Sequence, residues 1–154
     1  MRIYTYITLA AALALSITLS TPVNSQAFSL FGDGYEKAVA KDGVVTIPVN
    51  DVNDGEIHYY KYPDGNREIR FFLLKSSDGV IRAAFDACDV CFASRKGYSR
   101  SGDSVVCNNC GMRFHSSRIN VVKGGCNPAP LTRESDGNTV RIQTVDILQG
   151  ARFF

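Results

Sequence analysis

At 154 residues with a formal net charge of +2, the chain has no excess of one charge that would mark a nucleic-acid partner, and its Lys and Arg are scattered. With 45% hydrophobic residues it is apolar enough to bury a core, and it holds one modest domain rather than several. The count of five cysteines is odd, so a pure disulfide framework leaves one over.

The first element is a targeting segment. Arg2 precedes an apolar run of thirteen residues, Ile7 to Leu19, too short to span a bilayer comfortably and of the length of a signal-peptide core. Ser25-Gln26-Ala27 offers small residues where a signal peptidase reads, so residues 1–27 are expected to be removed after Ala27. An uncleaved membrane anchor is the alternative. One arginine stands at the start where the twin-arginine route requires two. A passenger on the general route crosses unfolded and takes up its metal outside, which favours zinc or copper. Export places the thiols in an oxidising compartment.

Residues 28–42 read as a short linker with a helical turn near Tyr35 to Ala40, and residues 43–150 as the domain. Val44 to Val49 is β-branched, with Pro48 demoting it to an edge. Strands follow over Glu56 to Tyr62, with Ile57 and Tyr59 on one face, over Glu68 to Lys75, and over Val80 to Phe85. Asn53-Asp54-Gly55, Pro63-Asp64-Gly65-Asn66, Asp78-Gly79 and Asp136-Gly137-Asn138 are turns between them, and Asp78-Gly79 closes a tight hairpin. Beyond the cysteines, Ile119 to Val122, Ala129 to Arg133 and Thr139 to Leu148 predict three more strands. The last needs a bulge near Gln143 and Thr144, because Val145 and Ile147 are out of phase with Val140 and Ile142. Strand signals every ten residues or so, without a long helix, predict an antiparallel all-β domain.

Four cysteines form two CxxC pairs, Cys88/Cys91 and Cys107/Cys110, with fifteen residues between them. Two such loops on hairpin tips converge four thiolates on one metal or small cluster. Gly111 lets the backbone turn so that an N–H group faces a sulfur. Thiolates suit zinc, copper(I) and iron–sulfur clusters alike. Disulfide staples in an interaction domain remain a competing reading. A thioredoxin-like pair is a weaker one, since that chemistry wants CxxC at the start of a helix. Phe92 and Gly111 follow the pairs, so a c-type haem, which needs CxxCH, is excluded, and neither ferredoxin spacing is present.

Cys126, in the glycine-led turn Gly124-Gly125-Cys126-Asn127-Pro128, is either an accessory ligand or a buried free thiol. His115, five residues past Cys110, is expected to be solvated or to support the site from behind the ligands, and His58 to be ordinary surface. No nucleophile with a partner and no acid–base pair stands out, so substrate turnover is not expected. The residues fit an electron-transfer module, or a zinc- or copper-binding module without redox work.

From Gly79 to Ile142 the order of motifs resembles a Rieske-type domain, with Cys91 and Cys110 where Rieske histidines stand and two residues inside the first loop rather than one. The order CxxC, CxxCG-x-x-F, GGCNPAPL is similar to the FtrD-like family of membrane-associated or exported iron–sulfur proteins over roughly residues 40 to 150. That resemblance implies a Rieske-like β-sandwich and an iron–sulfur cluster, either 2Fe-2S or 4Fe-4S. It further implies an electron carrier in the periplasm or facing outward at the cytoplasmic membrane. The implied partners are an iron permease or other membrane redox protein and a periplasmic iron-binding protein.

Overall fold

The computed structural model describes residues 33–154. The targeting segment and the start of the linker lie outside the described residues.

The middle layer is set by the most apolar stretch of the chain. β5 (Arg67–Lys75) carries Phe71, Phe72, Leu73 and Leu74 in succession, all fully buried. Successive strand side chains point to opposite faces, so four buried in a row require cover on both sides. β5 pairs antiparallel with β4 (His58–Asp64) and with β6 (Ile81–Phe85). Phe71 and Leu73 face one core with Ile47, Val140 and Ile142, while Phe72 and Leu74 face a second with Val105, Cys88 and Cys107. Tyr60 joins the first core, and Ile57 and Tyr59 share the second, as their alternation predicted.

The first core is closed by β3 (Val44–Pro48), which lies between β2 (Ala40–Lys41) and β11 (Thr139–Gln143), with β10 (Glu134–Ser135) beyond. The second is closed by the meander β7 (Tyr98–Ser101), β8 (Ser104–Cys107) and β9 (Arg113–His115). The all-β, dominantly antiparallel expectation holds, as does the tight Asp78-Gly79 hairpin, where Gly79 adopts φ 81° and donates its N–H to the Ser76 carbonyl at 2.8 Å.

Five local expectations are corrected. Tyr35 to Ala40 is extended rather than helical: β1 (Glu36–Lys37) runs parallel to β4, and Ala38 donates to the Lys61 carbonyl at 2.8 Å. β3 is interior rather than an edge. Pro48 is tolerated because β2 reaches only Val44 and Val45, leaving no strand to face it on that side. Ile119 to Val122 is a turn after a 3-10 segment (Ser116–Arg118), since Asn120 sits at φ 60° and breaks the extended path. Ala129 to Arg133 lies along β6 without becoming a strand. Ala129 and Phe85 bond at 2.8 Å, but Pro128 and Pro130 have no N–H to extend a ladder. The phase break after Gln143 is a helix, α1 (Thr144–Leu148), not a bulge: helical spacing turns Ile147 into the first core and Val145 out to solvent.

Candidate metal centre

The cysteines sit where the middle sheet meets the β7–β9 meander. β6 ends at Phe85, and three residues later Cys88 is buried in the second core. The first pair does not cap a hairpin, as was expected, but lies on the crossover from β6 to β7, two strands of different sheets. The chain leaves Cys91 through a 3-10 turn (Phe92–Ser94) that ends with Arg95 at φ 52°. The second pair does cap a hairpin. Cys107 closes β8, and the turn returns at Met112, whose carbonyl accepts the Cys107 N–H at 2.9 Å. Gly111, at φ 75°, makes this turn possible. Its own N–H goes to the Cys107 carbonyl at 2.8 Å, and the amides turned toward sulfur are its neighbours, Met112 toward Cys110 and Asn109 and Cys110 toward Cys107.

The third cysteine segment reaches the same place. Gly124 and Gly125 both adopt positive φ, at 86° and 63°. Consecutive left-handed residues double the chain back, which glycine allows without a Cβ clash. The Cys126 carbonyl accepts the Tyr98 hydroxyl at 2.7 Å, and Ala129 donates to the Ala87 carbonyl at 2.9 Å.

The five sulfurs converge in two sets. Those of Cys88, Cys91 and Cys126 lie within 4.8 Å of one another, as do those of Cys91, Cys107 and Cys110. Cys91 belongs to both sets, so it is the centre of the constellation. All five are free thiols, none joined as cystine. The Cys91 N–H donates to the Cys88 sulfur at 3.2 Å, and the Asn109 side-chain amide to the Cys91 sulfur at 3.4 Å.

Acidities differ across the site. The Met112 N–H, with help from neighbouring thiols, holds Cys110 down at about 7. Cys126 is pushed up to about 12, first by the thiol of Cys110 beside it and then by burial. Burial raises Cys107, against the N–H groups of Cys110 and Asn109. These thiols oppose one another's ionisation, and a bound cation relieves that opposition by keeping coordinated thiols deprotonated. The donor set, soft sulfurs with N–H groups turned toward them, fits a thiophilic metal or cluster.

Three supporting residues carried no legible signal in the sequence. Asp86 is buried, accepts the Tyr98 N–H at 2.8 Å and takes the Tyr35 hydroxyl on its other oxygen. Burial pushes its carboxyl up, partly offset by those two donors. Burial likewise keeps the Tyr98 phenol protonated, reinforced by Cys88. Asn109 was visible only as filler inside a CxxC pair. His115 lies away from the hairpin tip, level with Ser104, and its ring nitrogens meet Asp103 at 3.0 Å and Ser117 at 2.8 Å. It is half-exposed, and neither contact is to sulfur. His58 pairs with Asp54 at 2.8 Å, on the surface as expected. An open cleft of about 910 Å³ borders the sulfurs, lined by Cys88, Cys91 and Cys107 together with Arg67, Arg70 and Arg95.

The family described as "membrane iron-sulfur containing protein FtrD-like" matches residues 52–154, which include all five cysteines. No curated protein matches the chain. Among solved structures, the quaternary ammonium Rieske monooxygenase CntA is similar at 13% identity with a TM-score of 0.42. The alignment covers 68% of this chain and 32% of the monooxygenase, so the chain spans about a third of that protein's length. No helix among the described residues is long and apolar enough to cross a membrane.

Proposed function

The chain belongs to the FtrD-like family of membrane iron–sulfur containing proteins, and on that premise we propose that it is an exported electron carrier whose cysteines hold an iron–sulfur cluster. Cys88, Cys91, Cys107 and Cys110 are its ligands in this reading. When bound, such a cluster accepts and releases single electrons at a potential set by cluster type, charge and hydrogen bonds to sulfur.

One observation carries the proposal: the sulfurs divide into two sets that share Cys91 rather than gathering into one compact quartet. A single tetrahedral zinc with bonds of about 2.3 Å would draw four sulfurs to about 3.8 Å from one another. A wider constellation suits a group with several metal atoms. The chain's own part is to hold the sulfurs in place, direct the Cys91 N–H and the Asn109 amide at them, and leave Cys110 at the surface as the edge nearest a partner.

The family description and the apolar N-terminal run support an exported, membrane-associated setting. The protein would work in the periplasm or on the outer side of the cytoplasmic membrane, beside an iron permease or another membrane redox protein and a periplasmic iron-binding protein. Elemental analysis with a visible spectrum, on protein purified without oxygen, tests the core of this reading. Iron with sulfide and a visible charge-transfer band is expected. One zinc per chain with no visible absorption would overturn it.

A further inference from the structure

The Cys126 sulfur lies 3.7 Å from that of Cys91 and within 4.8 Å of that of Cys88. A disulfide would put two sulfurs about 2.05 Å apart. Two thiolates on one thiophilic metal, with bonds of about 2.3 Å at a tetrahedral angle, stand about 3.8 Å apart. The observed separation excludes a disulfide; it is the length of an S–H···S contact in the free thiols and already matches the spacing of two thiolates on one metal.

The backbone turn and its hydrogen bonds hold the residue there. Gly124 and Gly125 both take left-handed conformations, and Asn127 is buried with its side-chain amide on the Val122 carbonyl. The Tyr98 hydroxyl grips the Cys126 carbonyl, while the Ala129 N–H ties the far side of the turn to Ala87, next to Cys88. The segment is thus fastened at Cys126 and again three residues beyond it to the stretches on either side of the first pair. A thiol serving only as packing needs no such aim at two other sulfurs.

We propose that Cys126 is a metal ligand, completing with Cys88 and Cys91 one half of the centre while Cys91, Cys107 and Cys110 form the other. The ligand class is a thiophilic metal or cluster. The proposal rests on the metal-binding part of the reading above, but not on the metal being iron.

The test uses the full chain, once as purified without oxygen and once stripped of metal and reloaded with Cd(II). Both forms are treated with an alkylating reagent, and each cysteine is read by mass spectrometry. Cys126 is expected to be protected in both and labelled after chelation. In a second arm, Cys126→Ala and Cys126→Ser are titrated with Cd(II), following the thiolate-to-cadmium absorption near the protein band. Loss of a ligand should weaken binding at least ~10-fold, the low end of what losing even a residue behind a ligand costs, and lower the absorption per bound ion. Labelling of Cys126 at the same rate with and without metal overturns the proposal, as does a variant with unchanged affinity and absorption. Protection by Cd(II) in a protein that carries no iron would retain the Cys126 assignment and remove the iron–sulfur one.

Discussion

Gly97 and Asp86 are in contact so close that no side chain fits between them: a Cβ built on Gly97 would lie 2.1 Å from the Asp86 Oδ2. The carboxylate cannot step aside cheaply, because Tyr98 and Tyr35 hold its two oxygens. Gly97 also sits at φ 62°. This one approach fixes where β7 begins relative to the end of β6, and so the entry and exit of the first cysteine loop. Gly97→Ala is expected to lose about 1–2 kcal/mol from the left-handed backbone alone, and more from displacing Asp86. Denaturant titration reads the stability loss, and metal content after purification should fall with it. A variant as stable and as metal-rich as the parent would refute this.

Tyr98 joins two cysteine segments, since its N–H meets Asp86 and its hydroxyl meets the Cys126 carbonyl at 2.7 Å. Tyr98→Phe removes only the second bond and should cost about 0.5–1.5 kcal/mol. The loss should be local. Amide exchange at Gly125 to Asn127 is expected to speed up while that of β5 stays as it was.

Asn109 donates its side-chain amide to the Cys91 sulfur at 3.4 Å. Hydrogen bonds to sulfur stabilise the reduced, more negative state of a bound redox centre and raise its potential. Asn109→Ala should therefore shift the reduction potential of the loaded protein downward, with the fold unchanged. Voltammetry of parent and variant checks the sign.

Phe153 ties the C-terminal turn to the first loop. Its ring lies 5.9 Å from that of Phe85 and 6.0 Å from that of Phe92, which directly follows Cys91. Phe153→Ala should cost about 3–5 kcal/mol, the usual range for emptying a buried aromatic position, and should lower metal retention as well. Thermal unfolding and metal analysis of the same sample measure both.

Acid stability depends partly on two turn carboxylates. Hydrogen bonds from Ser76, Val80 and Arg82 lower Asp78 to about 2, and the Thr139 and Asn138 N–H groups lower Asp136 to about 2, against an ordinary 3.8. Each folded value is depressed, so each contribution is present above about pH 4 and is lost as pH falls through about 2. Both groups are exposed and screened, so the effect is small. Unfolding measured from pH 5 down to 2 should show a shallower decline in an Asp78→Asn, Asp136→Asn double variant than in the parent.

Much of this architecture could be read from the chain. The strand over Glu68 to Lys75 and the turns at Asp78-Gly79 and Gly65-Asn66 that flank it could be read, because strand composition and turn chemistry are local properties, whereas the cover on both its faces could be seen only in the fold. The helix at Thr144 was missed although its cause was visible. Val145 and Ile147 broke the strand phase, and a phase break reads equally as a bulge or as a change of period. Ile119 and Ala129 were misread for the same local reason. Apolar β-branched and small residues suggest strands, and only Asn120 at positive φ and the paired prolines around Ala129 decide otherwise.

By itself the sequence determined that four thiols come in chelating pairs and that a fifth sits on a stiff glycine turn, since the bite of a CxxC loop is set by the few bonds between its sulfurs. Only the tertiary structure decided that Cys91 is common to both sulfur sets and that Cys126 approaches it to 3.7 Å. Asp86, Gly97 and Tyr98 were out of reach for the same reason. Their role comes from β6, β7 and the Cys126 turn meeting across two sheets, and such a meeting is fixed by how the cores pack, which no local spacing encodes.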